Sequence, residues 1–175
     1  MALAIFGEIL VSSFKETCEK ENFMTKKRQR HLLVIGGGVF QVPAIKVAKS
    51  MGLKVVVTDY NGDAEGMLMA DYPIEVSTRN INLTVNAAKQ FHASCPLDGV
   101  MTVGTDASQT VAAVANALNL PGIPFEVAER STDKIKMRRR LREMGIAVPH
   151  FRPVWTIDDL NAAIQEMPLP LVIKP

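Results

Sequence analysis

The sequence is poor in the residues that build disulfide scaffolds, metal centres and membrane spans. Its two cysteines, Cys18 and Cys95, show no CxxC spacing and no histidine cluster. That pattern encodes neither a disulfide framework nor a zinc site and suits a reducing cytosol. His31, His92 and His150 stand far apart without metal-ligand spacing, so no metal ligand is expected among them. No apolar run approaches the roughly 20 residues that a membrane span needs. An excess of one charge is also missing, since the formal net charge is +2, and neither nucleic acid nor a membrane surface is implied as a partner. Met1 to Val11 is apolar but has no basic region before it and no small-residue cleavage site after it, so it does not read as a signal peptide. There are no internal repeats and no low-complexity tracts. The expected localisation is cytoplasmic.

What is present is enough for a packed core: 47% of the residues are hydrophobic against 22% charged, which excludes a disordered chain. Leu3, Phe6, Leu10 and Phe14 recur at helical spacing and predict a short amphipathic helix. Residues 1–29 form an extension with no assigned role, and Met24 would be a natural start. The basic run Lys26 to Arg30 reads as a solvated lead-in to the first strand.

From His31 onward strand and helix signals alternate. Leu32 to Ile35 is a continuous apolar run, the mark of a strand buried on both faces of a parallel sheet. Gly36-Gly37-Gly38 breaks it. A helix follows over Val42 to Met51, with Pro43 in its first turn and Gly52 just beyond its end. Lys54 to Thr58 predicts the second strand, Ala64 to Met69 a short helix and Ile74 to Val76 the third strand. Leu83 to Phe91 predicts a helix, Gly99 to Val103 a fourth strand, Ala107 to Leu118 a helix and Pro121 to Ile123 a brief fifth strand. This alternation predicts a doubly wound α/β fold with a Rossmann-like parallel sheet. After about Glu129 the pattern becomes helix, strand, helix, strand, with strands expected at Phe151 to Trp155 and Leu171 to Ile173. The expected division is an extension at 1–29, a Rossmann-like domain at 30–128 and an incomplete α+β subdomain at 129–175.

Four places could carry chemistry. The loop Gly36-Gly37-Gly38-Val39-Phe40-Gln41 joins a strand to a helix, where glycines admit a close ligand and the helix N-terminus favours an anion. In a dinucleotide site a third glycine follows, with an acid some twenty residues on. Asp59 stands where that acid belongs, but Gln41 replaces the third glycine and argues against a bound NAD. A tight turn without a ligand is the plain alternative, and Asp59 alone reads equally as a turn residue. Thr105 and Asp106 follow the fourth strand, where open α/β sheets bind ligands, although Asp106 or Ser108 could simply cap the next helix. Lys134 falls on the apolar stripe of Met137, Leu141 and Met144, among arginines spread over a solvated surface. Either its stem snorkels or an anion pairs with it. Lys174 ends the apolar run Leu171 to Ile173, as a functional cation or an edge guard.

Asp133-Lys134 opening a helix, the turn Gly145-Ile-Ala-Val-Pro149 and the run closing in Lys174-Pro175 together resemble the entry into the ATP-binding half of ATP-grasp ligases. The run Gly-Gly-Gly-x-x-Gln-x-Pro-x-Ile from Gly36, the second strand ending at Asp59, and Ala70-Asp71 are similar to relatives of the carbamoyl-phosphate synthase large chain. The resemblance covers about the last 145 residues. It implies a pre-ATP-grasp domain whose glycine loop contacts the acceptor substrate, giving Gly36, Gly37, Gly38, Gln41, Asp59, Thr105 and Asp106 as substrate-binding residues. It also implies Lys134 and Lys174 as contacts to ATP.

On this reading the sequence is the front part of an ATP-dependent carboxylate–amine ligase that works through an acyl phosphate. Catalytic residues are not assignable, and ATP and Mg²⁺ belong to the complete enzyme, with none held tightly by these residues alone. Partners are a small carboxylate and an amine, with a homodimer as a further option. The alternatives are an NAD(P)-binding module and a non-catalytic domain that pairs with a separate ATP-grasp chain.

Overall fold

The computed structural model describes Cys18 and residues 28–174. The helix expected over Leu3, Phe6, Leu10 and Phe14 lies outside the described residues. Two compact units make up the chain, one ending at Thr132 and one spanning Asp133–Pro175.

The first unit is built on four parallel strands: β1 (His31–Ile35), β2 (Lys54–Asp59), β3 (Tyr72–Glu75) and β4 (Leu97–Met101), ordered β3-β2-β1-β4. The register runs Leu33↔Val56 and Ile35↔Thr58 between β1 and β2, and Leu33↔Val100 between β1 and β4. The sheet is therefore the parallel α/β architecture that the strand–helix alternation predicts. Side chains alternate across a strand, so consecutive apolar residues feed two opposite cores. Leu33, Ile35 and Val56 join Ala88 and Phe91 of α3 (Ile81–Ser94) and Val114 of α4 (Ser108–Ala117). Val34, Val55 and Val57 instead join Ile45 and Ala48 of α1 (Val42–Ser50) and Met67 of α2 (Glu65–Met69). Each fully buried side chain of this size is worth about 1.5–3 kcal/mol. A face of each central strand is thus committed to each helical layer, which is why β1 and β2 carry no polar alternation.

Local signals place the ends of these elements. Pro43 sits in the first turn of α1, and Gly52 follows it at φ +75°. Helix α3 starts earlier than expected, because Asn80 accepts the Leu83 N–H and caps it. The strand expected at Pro121 to Ile123 does not form. Pro121 and Pro124 lack the N–H a ladder needs, and the segment lies on α4 instead: a Cβ at Gly122 would come within 2.7 Å of the Ala115 Cβ. Helix α5 (Phe125–Thr132) packs on α4, and Gln109 Nε2 donates to Thr132 Oγ1 at 2.7 Å. Glu129 therefore lies inside a helix of the first unit.

In the second unit α6 (Lys134–Glu143) is capped by Asp133, whose carboxylate accepts the N–H groups of Ile135 and Lys136. Helix α7 (Ile157–Glu166) has a capping box between Thr156 and Asp159. Neither Phe151–Trp155 nor Leu171–Ile173 is a strand. A strand is a hydrogen-bonding relation, and neither segment meets a pairing partner among the described residues. No helix among the described residues is long and apolar enough to cross a membrane.

Two expectations from the amino-terminal part are corrected. Arg28 is not merely solvated: both its terminal nitrogens bond Asp98 Oδ1, at 2.9 and 2.8 Å, and Asp98 Oδ2 accepts the His31 N–H. Cys18 and Cys95 are joined in a disulfide, so their usage no longer argues for a reducing compartment.

Candidate functional site

The strand order reverses direction between β1 and β4, so the loops leaving these two strands flank a switch point at the carboxyl edge of the sheet. The first loop begins at Gly36, whose φ of +98° favours glycine. Its N–H donates to the Thr58 carbonyl at 2.8 Å, continuing the β1–β2 ladder. Gly37 is held on every side. Its N–H donates to Asp59 Oδ2 at 2.8 Å, and its carbonyl accepts the Gly66 N–H at 2.7 Å. A Cβ at Gly37 would stand 2.8 Å from Met67 Cγ and one at Gly66 would stand 2.7 Å from the Gly37 oxygen, so glycine is needed on both sides of this approach. Asp59 Oδ1 also accepts the Asn61 N–H at 3.0 Å. Asp59 thus uses both oxygens to hold its own turn and the glycine loop.

Gln41, at the end of a 3-10 turn over Val39–Gln41, is 3% exposed. Its amide nitrogen donates to the Val103 carbonyl, tying the β1 loop to the β4 loop. Its side chain lies over the glycines: Cβ atoms built on Gly36 and Gly38 would each come 3.3 Å from it. Thr102 Oγ1 adds a second tie by donating to the Ile35 carbonyl at 2.7 Å. Gly104, at φ +63°, makes a third by packing where a Cβ would meet Phe40 Cβ at 3.1 Å. The missed residues are Thr102, Phe40 and Gly104. The sequence pattern puts Thr102 inside the fourth strand, and only the fold shows that it follows that strand and clasps β1.

Thr105 Oγ1 accepts the Ala107 N–H at 2.9 Å and lies 3.4 Å from Thr102 Oγ1. Neither Asp106 nor Ser108 caps α4; the cap position is Ala107, with no side-chain bond to the helix. The first turn of α4 therefore keeps its donors and its positive dipole end at this edge. Asp106 is exposed and makes no hydrogen bond or ion pair with the described residues. The fold brings Gly36, Gly37, Gly38, Gln41, Asp59 and Thr105 together, with Asp106 next to them on the β4 loop. Gly36 and Gly37 are buried and bonded, and Gly38 is partly exposed.

Lys134 and Lys174 belong to the second unit. The expectation that Lys134 lies on a buried stripe is corrected: it is exposed, Met137 and Leu141 are only half buried, and α6 has no fully buried residue. The arginines are not simply solvated either. Arg138 and Arg142 place their guanidinium carbons 5.4 and 4.9 Å from the centre of the Phe151 ring. Lys174 is exposed and ends no strand. Among the described residues, the one group of three or more potential metal ligands is Cys18, His31 and Cys95, away from this edge. The described residues thus present no carboxylate cluster that fits Mg²⁺.

Residues 45–122 match the model of the ATP-grasp N-terminal domain. The chain is 24% identical over 161 residues to the formate-dependent phosphoribosylglycinamide formyltransferase of Prochlorococcus marinus (strain MIT 9301), covering 89% of this chain and 39% of the relative. It is 35% identical over 65 residues to the alanine–anticapsin ligase of Bacillus subtilis, covering 37% of this chain and 14% of that enzyme. Among solved structures, the L-amino acid ligase of Bacillus licheniformis aligns with a TM-score of 0.61 at 27% identity, over 85% of this chain and 36% of that one. Phosphoribosylglycinamide synthetase of Anaerococcus prevotii aligns with a TM-score of 0.63 at 24% identity, over 81% and 36%, which supports the fold alone. This chain spans less than two fifths of the length of each of these relatives.

Proposed function

We propose, from a chain that belongs to the ATP-grasp family through its N-terminal domain, that the first unit is the acceptor-binding part of an ATP-dependent carboxylate–amine ligase. In such a reaction a carboxylate takes the γ-phosphoryl group of ATP, giving an acyl phosphate and ADP. An amine then attacks the acyl carbon, phosphate leaves and the amine loses a proton. The carrying observation is the clasped pair of loops at the switch point, with the uncapped start of α4 and the unbonded Asp106 at the same edge. A helix start holds the anionic end of a small acceptor, and Asp106 suits an amine or hydroxyl on the same molecule. Gly38 lets the acceptor approach the backbone, and Gln41, Asp59 and Thr105 keep the loops in place. Gln41 fills the room a dinucleotide pyrophosphate would need, which disfavours the NAD(P) reading.

Lys134 and Lys174 are the residues we assign to the phosphates of ATP, as exposed cations able to form charge-assisted bonds. No step is assigned to Mg²⁺, for which the described residues offer no carboxylate cluster. An ATP-consuming ligase of small metabolites belongs in the cytoplasm, and a homodimer is compatible with that role. The test is calorimetric titration of the 175-residue chain with a panel of amino acids, phosphorylated amines and small carboxylates. One class should bind saturably, and Asp106→Ala should weaken it with the thermal midpoint unchanged. Tight NAD or NADP binding, or acceptor binding indifferent to Asp106→Ala, would overturn this assignment.

A further inference from the structure

At the amino-terminal edge of the sheet, opposite the clasped loops, a group of side chains meets that the proposed reaction does not use. The disulfide between Cys18 and Cys95 joins residues 77 apart in sequence, with Cα atoms 5.9 Å apart. Both residues are in the core, Cys18 3% exposed and Cys95 0%. His31, the first residue of β1, places Nε2 3.7 Å from Cys18 Sγ, and Tyr72, the first residue of β3, places its hydroxyl 3.8 Å from the same sulfur. His31 Nδ1 lies 3.2 Å from the Pro96 carbonyl oxygen. A carbonyl only accepts, so this bond assigns the ring proton to Nδ1 and leaves the Nε2 lone pair toward the sulfur. Phe91 packs edge-on against both rings, fixing their orientation.

We propose that Cys18 and Cys95 form a reversible thiol–disulfide exchange site for a small thiol and its disulfide, with Cys18 as the reacting sulfur and His31 as its proton acceptor. In the reduced protein the Cys18 thiol passes its proton to His31 Nε2, and the Tyr72 hydroxyl donates to the thiolate that results. The thiolate attacks one sulfur of a small disulfide, whose S–S bond breaks, and the departing thiolate leaves with the proton from His31. The Cys95 thiol then gives up its proton and attacks the Cys18 sulfur, expelling the second small thiolate, which takes that proton. Two protein thiols and one small disulfide thus become one protein disulfide and two small thiols, and reduction is the reverse. Burial of both sulfurs limits the reagent to a small one. The exchange decides whether the polypeptide ahead of β1 is covalently tied to the sheet, and it leaves the loops after β1 and β4 as they are. With the sulfurs bonded to each other neither is a thiolate, so this form offers no thiolate ligand to a metal.

The test uses the full chain and glutathione. Protein purified without reductant, then denatured and alkylated, should show no free thiol by mass spectrometry. Equilibrated natively at set ratios of reduced to oxidised glutathione, the disulfide fraction should follow the ratio and recover on reoxidation. Cys95→Ser, which cannot close the ring, should accumulate one glutathione on Cys18. His31→Asn keeps a donor to the Pro96 carbonyl but removes Nε2, and should slow native reoxidation about tenfold at a temperature where the reduced variant is still folded. A disulfide that persists at every ratio, or two thiols that never pair, would overturn the proposal. So would stoichiometric zinc that blocks alkylation of the reduced protein, or reoxidation of His31→Asn at the unaltered rate.

Discussion

Gln41 shows how one side chain can fill a loop and tie it to its neighbour. A glycine in its place would leave room over Gly36 and Gly38; the glutamine fills that room and spends its amide on the Val103 carbonyl. Replacement by Met keeps the volume and leaves that carbonyl without its donor, at a cost of about 1–3 kcal/mol. Replacement by Glu should cost more, because a buried carboxylate would face a carbonyl oxygen. Thermal unfolding of both variants should rank them in that order, and a Glu variant as stable as the parent would mean that Gln41 does not join the loops. Lys134 and Lys174 make the opposite case. Both are exposed, so Met at either position should leave stability within about 0.5 kcal/mol. If both bind phosphate, loss of a charge-assisted bond of roughly 1.5–3 kcal/mol should cut ATP affinity of the complete ligase about ten- to a hundredfold. Unaltered ATP titrations in both variants would remove the lysines from the site.

Among the elements, α6 depends on its cap more than on burial, since it has no fully buried residue, and α7 buries Ala163 alone. The Asp133 carboxyl is held below its ordinary range, first by the Lys136 N–H and further by the Ile135 N–H and the nearby charges of Lys136 and Arg139. Asp159 is held low in the same direction, first by the Trp155 N–H and then by the Thr156 hydroxyl. A carboxyl with a depressed pKa in the folded chain stabilises it above the unfolded pKa, and that contribution fades as pH falls through the lower folded value. Helicity of α6 and α7 should therefore be level from neutral pH down to about pH 4 and decline below it. Asp133→Asn, which caps without titrating, should remove the part that belongs to α6. Carbonyl-detected NMR of the second unit would show both effects, and an acid transition unchanged in Asp133→Asn would deny the cap its role.

On the scale of the whole molecule, the link between Cys18 and Cys95 has the longest reach. Closing a loop of 77 residues removes chain entropy from the unfolded state worth about 4.5 kcal/mol at 25 °C. Chemical denaturation should show a loss of that order on reduction, and Cys18→Ser should match the reduced parent. A midpoint indifferent to reductant would mean that the link does not constrain the unfolded chain. The two units carry different burdens. The first packs apolar residues on both faces of its sheet, whereas the second leaves Trp155, Val172 and Ile173 exposed.

Much of the first unit was legible without coordinates. The uninterrupted runs at β1 and β2 require burial on both faces, Gly36 to Gly38 require a turn, and Pro43 and Gly52 bracket α1, all through interactions within a few residues. Those local rules placed the candidate loops at strand ends. What they could not convey was partnership at a distance. Pro121 to Ile123 is apolar enough for a strand, but its place against α4 is set by packing on Ala115. Met137, Leu141 and Lys134 share a helical stripe, yet periodicity says which residues face one way and not whether anything covers them. Gln41 was legible as the missing third glycine but not as the bond to Val103, 62 residues on. The cysteines looked unrelated because 77 residues separate them. Only the parallel sheet, with its strands starting along one edge, brings His31, Tyr72 and Cys95 to Cys18.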